Sequence, residues 1–225
     1  MMGRSSRAAM ASFGRTPDLP LRLILMLAAV PLAGGAGLVT YVLSGISLPL
    51  AEGTLLALGI LWWAAMVSRV SASARAHLRQ RLRIGVRAGI FATVAYDSAR
   101  YGLVSLFGLS FQPFHVFSIF GRLFVGNDAP YGLALAMGIA YHAANGIGFG
   151  IAYTLVVRRG SLASGIVWGI CLELSMAMLY PSWLRIVALR EFLAVSAFGH
   201  VIYGAVLGTV VSRHAPRPVP HEGAT

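Results

Sequence analysis

Apolar residues along this chain gather into six runs, at about residues 23–43, 50–67, 84–107, 131–157, 162–180 and 192–211, separated by polar or mixed stretches. Each run is close to the ~20 residues an α-helix needs to cross a bilayer core about 30 Å thick. The pattern predicts an all-α integral membrane protein: one domain of six transmembrane helices over residues 23–213, a basic arm before it (1–22), and a proline-rich, disordered tail after it (214–225). The first run has the basic flank of a secretory signal peptide, which would be cut near Ala33 to Gly37. It stays apolar for too long for a signal core, however, and reads as a retained span.

Composition narrows the class further. Hydrophobic residues make up 57% of the chain and charged residues 11%, about half the charged share of a soluble domain. The net charge is +11, and all 18 basic residues are arginine. With the N-terminus in the cytoplasm, 14 arginines fall inside: four in the arm, six from Arg69 to Arg87, then Arg158, Arg159, Arg213 and Arg217. Only Arg122, Arg185 and Arg190 fall outside, while Arg100 lies within the third span. That asymmetry satisfies the positive-inside rule with both termini cytoplasmic, and it explains the charge with no nucleic acid as partner. Arg75, Arg79, Arg83 and Arg87 recur every four residues on one helix face, either as a topology anchor or as a seat for anionic lipid head groups. Cys171 is the only cysteine, which excludes disulfides, CxxC redox pairs and c-type haem attachment. It is expected as a buried thiol.

The chemistry concentrates around Met137 to Tyr153, MGIAYHAANGIGFGIAY, where His142 and Asn145 interrupt an apolar run and Gly146 and Gly150 follow. His200, Gly204 and Gly208 repeat the spacing of His142, Gly146 and Gly150. In the preceding spans, Asp97 follows Gly89 and Glu173 follows Gly165 by the same eight residues. Between these spans lie two semi-apolar outer stretches with Pro113 and Arg122, then Pro181 and Arg190, at matching separations. These outer caps also carry His115 and Arg185. The echo predicts a parallel duplication of helices 3–4 and 5–6. Its GxxxG steps suit close packing within the chain or a homo-oligomer.

At about 1.5 Å per residue, Asp97, His142, Glu173 and His200 lie roughly 12–20 Å from the ends of their spans. An ionisable group at that depth costs about 2.5–3.5 kcal/mol, so these side chains should face inward and pair. Arg100, one turn from Asp97, can neutralise it, and Asn145 lies one turn from His142. The expected result is an outward-opening polar pocket lined by Asp97, Arg100, His142, Asn145, Glu173 and His200. It admits three uses: a small-ligand or proton site for binding or permeation, a brace between helices, or an intramembrane enzyme holding zinc or iron on His142, His200 and Glu173. No HExxH, ExxH, Walker A, GxSxG or SxxK motif is present, and the chain has no lysine.

The order YHAANGIGFGIAY, GIVWGICLE, YPSW, REF and GHVIYGAVLG resembles the YagU-like bacterial inner-membrane proteins, small multi-pass proteins with no established biochemical activity. The resemblance covers roughly the C-terminal 90 residues. It carries over His142, Trp168, Gly169, Gly199 and His200 as motif positions. It implies a bacterial inner membrane and no particular chemistry.

Overall fold

A computed structural model describes residues 20–157, 159–184 and 188–214. The basic arm, Arg158, Arg185 and the tail with Arg217 lie outside the described residues, and so do the expectations placed on them. All regular structure among the described residues is helical. The first apolar run forms α1 (Leu21–Ala29) and α2 (Ala33–Ser44), joined by a 3-10 turn at Val30–Leu32. Pro31 causes that break, since it has no N–H to continue the α-helical ladder. α3 (Leu48–Ser68) follows, then α4 (Ala72–Phe107), α5 (His115–Val125), α6 (Tyr131–Val156), α7 (Leu162–Leu184) and α8 (Leu189–His214).

Among the described residues four segments are long and apolar enough to cross a membrane: Leu21–Ser44, α3, Leu162–Leu179 of α7, and α8. This places the chain among membrane proteins. Helices α4 and α6 are long enough, at 36 and 26 residues. Their glycines and their polar residues, Asp97 and Arg100 on α4 and His142 and Asn145 on α6, make them less apolar. The Ser71 hydroxyl caps α4 by accepting from the Ala74 N–H at 3.2 Å, so the arginine-rich segment is the first part of one continuous helix. At about 1.5 Å per residue α4 is roughly 54 Å long, well beyond a bilayer core. It therefore exceeds the core over part of its length, while Leu78 in its second turn still packs in one buried cluster with Leu27 of α1 and Leu155 of α6.

An apolar belt is visible on the surface. Leu58, Ile60 and Leu61 on α3, Phe91 and Val94 on α4, and Val167, Leu174 and Met178 on α7 are all exposed. Cys171 is exposed as well, on the same stripe of α7 as Val167 and Leu174, and not buried as its apolar setting suggested. A thiol is apolar enough to face lipid among such neighbours.

Glycines draw the interior helices together. A Cβ on Gly150 of α6 would stand 2.7 Å from the Gly89 Cα of α4, and one on Gly165 of α7 would stand 2.7 Å from the Gly208 Cα of α8. Backbones this close replace side-chain interdigitation with broad van der Waals contact. The α4, α6 and α8 interface buries Ala88, Ala92, Tyr153, Tyr203 and Leu207. Helix α1 and the Pro31 turn lie on the opposite face of α6, where the Pro31 carbonyl is pressed against Gly148.

After α4, Gly108 turns the chain at φ 59°, a left-handed conformation that favours glycine. The segment then dips back among the helices. Phe117, near the start of α5, is buried against Gly138 and reaches the His142 ring at a centroid distance of 4.7 Å, while Gly121 rests on Ala134 closer to the end of the molecule. So the first outer stretch enters as loop and leaves as α5, antiparallel to the start of α6. Among its described residues the second has no such element. Helix α7 continues past position 181 to Leu184 and α8 starts at Leu189, which consumes most of the expected cap. The helix thus runs through position 181 without a break.

Candidate functional site

Helices α6 and α7 meet near the arginine end, where the Tyr153 hydroxyl and Ser164 share a 2.8 Å hydrogen bond and Trp168 lies edge-on to Tyr153 at 5.8 Å. Toward the other end they diverge. The gap is a cavity of about 750 Å³, in the size range of small-molecule sites. Its walls come from α2, α4, α6, α7, α8 and the α5 segment, with mainly apolar residues such as Leu38, Phe117, Phe149, Leu172 and Phe192. Polar groups converge at one side: Arg100, His142, Asn145, His200, Tyr96 and Tyr203.

The two histidines are built alike. His142 Nε2 is 3.0 Å from Asp97 Oδ2 across the α4–α6 interface, and His200 Nδ1 is 2.7 Å from Glu173 Oε2 across the α7–α8 interface. Ser196, one turn before His200, donates its hydroxyl to the same Glu173 oxygen at 2.7 Å. An ionised carboxylate only accepts, so it draws the imidazole N–H toward itself and leaves the other ring nitrogen with a lone pair. His142 Nδ1 and His200 Nε2 have no hydrogen bond among the described residues, and both side chains line the cavity.

Tyr96 stands between the histidines, with its ring 5.9 Å from that of His142 and 4.9 Å from that of His200. The buried Arg100 guanidinium lies over the same ring at 4.8 Å, 3.7 Å from Asp97 Oδ1, and donates to the Pro113 carbonyl at 3.0 Å. Its charge thereby offsets that of Asp97 and its length anchors the incoming loop.

Four of the six expected lining residues, Arg100, His142, Asn145 and His200, face the cavity. Asp97 and Glu173 do not line it and stand behind their histidines. Helical spacing fixes which turn a side chain occupies but not this ordering along the line of sight. Asn145 is close to Gly34 of α2 and makes no hydrogen bond to His142. The metal trio that was one of the three candidate uses does not assemble: among the described residues no three His, Cys, Asp or Glu side chains group as ligands, and Tyr96 separates His142 from His200. Zinc or iron therefore has no ligand set in His142, His200 and Glu173.

Of the cap residues, His115 begins α5 and lines the cavity edge, Arg122 ends α5 and donates to the Asn127 carbonyl, and Arg190 is exposed on α8. A residue the sequence reading passed over, Glu191, closes this edge. Its Oε2 accepts from the Ser110 hydroxyl at 2.9 Å and the Phe111 N–H at 2.8 Å, joining the re-entrant loop to the first turn of α8. Tyr96, Ser196 and Tyr203 were also missed. Only Ser196 carried a local signal, its four-residue step to His200.

No family model, curated protein or solved structure matches the chain.

Proposed function

We propose that this chain is a six-span inner-membrane protein whose cavity binds a small ligand and exchanges protons with it through the two acid–histidine pairs. The observation that carries this reading is the placement of His142 and His200 on one cavity, each with a carboxyl on one ring nitrogen and, among the described residues, no hydrogen bond on the other. Unprotonated, each free nitrogen accepts a hydrogen bond; protonated, it donates one from the same position. The cavity can thus switch between taking donors and taking acceptors without moving a helix. Because the metal trio is not assembled, no step runs through zinc or iron.

Six spans with cytoplasmic termini are supported by the arginine asymmetry and by contacts at one end. Arg81 of α4 donates to the Thr154 and Leu155 carbonyls at the end of α6, at 2.8 and 3.0 Å, and Gly160 before α7 lies against Val211 near the end of α8. At that end Arg79, Arg83 and Arg87 form an exposed row, suited to anionic lipid head groups. The resemblance of the C-terminal part supports a bacterial inner membrane. Duplication is supported by the matching register of Gly89 with Gly150 and Gly165 with Gly208, each followed by an acid that reaches the partner helix's histidine.

The test is proton flux in vesicles reconstituted with wild type, His142→Ala and His200→Ala, alongside the yield of folded protein. Flux lost in both variants at wild-type yield supports the reading. Wild-type vesicles no leakier than empty ones, and unaffected by either substitution, would reject it, and loss of folding in both variants would favour a purely bracing role.

A further inference from the structure

Glu52 lies outside the cavity and outside both acid–histidine pairs, yet it is among the most buried polar residues, with 7% of its surface exposed. It sits on the first turns of α3 with its carboxyl packed against Gly37 of α2, where a Cβ would collide with Oε1. Among the described residues Oε1 has no hydrogen-bond partner. The elements packed around α3 bring few ionisable groups: Arg22 on α1, Tyr41 on α2, His115 and Arg122 on α5, and, from α6 behind α2, Tyr141. Of these, Tyr141 is the one that interacts with the carboxyl, while the Arg122 guanidinium turns to the Asn127 carbonyl.

Burial decides the chemistry. The Tyr141 hydroxyl, the group that could steady a carboxylate here by donating to it, gives its proton to the Gly34 carbonyl at 2.8 Å. A buried carboxylate without a cation costs several kcal/mol, and protonation removes that charge. Tyr141 also lines the cavity, as does Asn145 beside it. We infer that Glu52 is a second, separate proton-binding site, which holds an exchangeable proton on its carboxyl and communicates with the cavity wall through Tyr141.

The test uses the purified full chain in lipid vesicles with dicyclohexylcarbodiimide, an apolar reagent selective for protonated carboxyls in apolar surroundings. The carboxyl O–H adds across one N=C bond, the proton passing to nitrogen, and acyl migration then leaves a stable N-acylurea with no redox change. Peptide mapping by mass spectrometry should find the adduct on Glu52, with labelling that declines as pH is raised and is absent in Glu52→Gln. The adduct should persist in His142→Ala and His200→Ala, which separates this site from the cavity reading. Wild-type mapping does not depend on any variant folding. No adduct on Glu52 at any pH, or labelling indifferent to pH, overturns the inference. Protection of Glu52 by sodium or potassium ions at fixed pH overturns it too, since the carboxylate would then hold an alkali cation and no proton.

Discussion

Glu173 and His200 meet at 2.7 Å across the α7–α8 interface, one turn from the point where Gly169 presses on the His200 carbonyl. The glycine contact makes the pair possible, because a side chain at position 169 would push the helices apart. Polar pairs within membrane bundles couple by about 0.6–1.7 kcal/mol, as the dissociated helices find other partners. A double-mutant cycle of Glu173→Ala and His200→Ala, read by reversible unfolding in detergent, should therefore give a coupling of about 1 kcal/mol. A coupling indistinguishable from zero would mean the two groups are neighbours without being partners.

Glycines on the seam and off it should behave in opposite ways. A Cβ at Gly89 would meet the Ile147 Cα at 2.8 Å, which is backbone and cannot rotate away, whereas a Cβ at Gly53 or Gly102 would meet nothing within 4 Å. Gly89→Ala should lower the melting temperature through forced separation of α4 and α6. Gly102→Ala should stabilise by up to about 1 kcal/mol, the helix-propensity difference. Thermal melts of the two variants in one detergent decide it, and equal destabilisation would contradict the seam.

How far the site is legible in the sequence depends on what kind of spacing encodes it. His142 and His200 stand out because each is a costly residue deep in an apolar run, and the glycine steps beside them mark the faces that pack. Glu52 does not stand out, since an acid on the first turns of a span reads as interfacial until tertiary packing buries it. Tyr96 and Tyr141 look like ordinary span aromatics, and only the fold reveals that one separates the histidines and the other faces a carboxyl. The α5 dip was half legible: a semi-apolar stretch between two spans reads as an outer cap, but the contact of Gly121 and Gly138 with facing backbone is a pairing between segments. The second outer stretch was expected as a cap from its semi-apolar composition, but its residues up to Leu184 and from Leu189 extend α7 and α8 instead, a continuation that composition does not separate from an interfacial cap.

The clasp between Glu191 and the loop at Ser110 and Phe111 stands at the edge of the cavity, backed by the edge-on contact of Phe111 with Phe192 at 5.5 Å. A carboxylate at the start of α8 also faces the positive end of the helix dipole, which favours its ionised, accepting form. Removing it in Glu191→Ala should free the loop and speed entry to the cavity. With Cys171→Ser as background and a single reporter at Leu172→Cys on the cavity wall, maleimide labelling should become several-fold faster. An unchanged rate would show that access lies elsewhere, for example between α2 and α7.

His77, in the second turn of α4 and ahead of its apolar part, should make stability depend on pH. Its proton affinity is lowered from the ordinary value of 6.5, first by burial and then by the charge of Arg81 one turn on. The unfolded chain takes up this proton near the ordinary value, and the folded chain does so only at lower pH. Above 6.5 both states are neutral here and the group contributes nothing to pH dependence. As pH falls below that value the unfolded state binds more protons, so folding weakens until the folded form is protonated too. His77→Gln keeps a polar side chain of similar reach without the titration. Its melting temperature should match the wild type's at mildly alkaline pH and exceed it under mildly acidic conditions. The carboxyls elsewhere are common to both proteins, so the difference between the two curves isolates this one imidazole, and parallel curves would exclude it as a source of acid sensitivity.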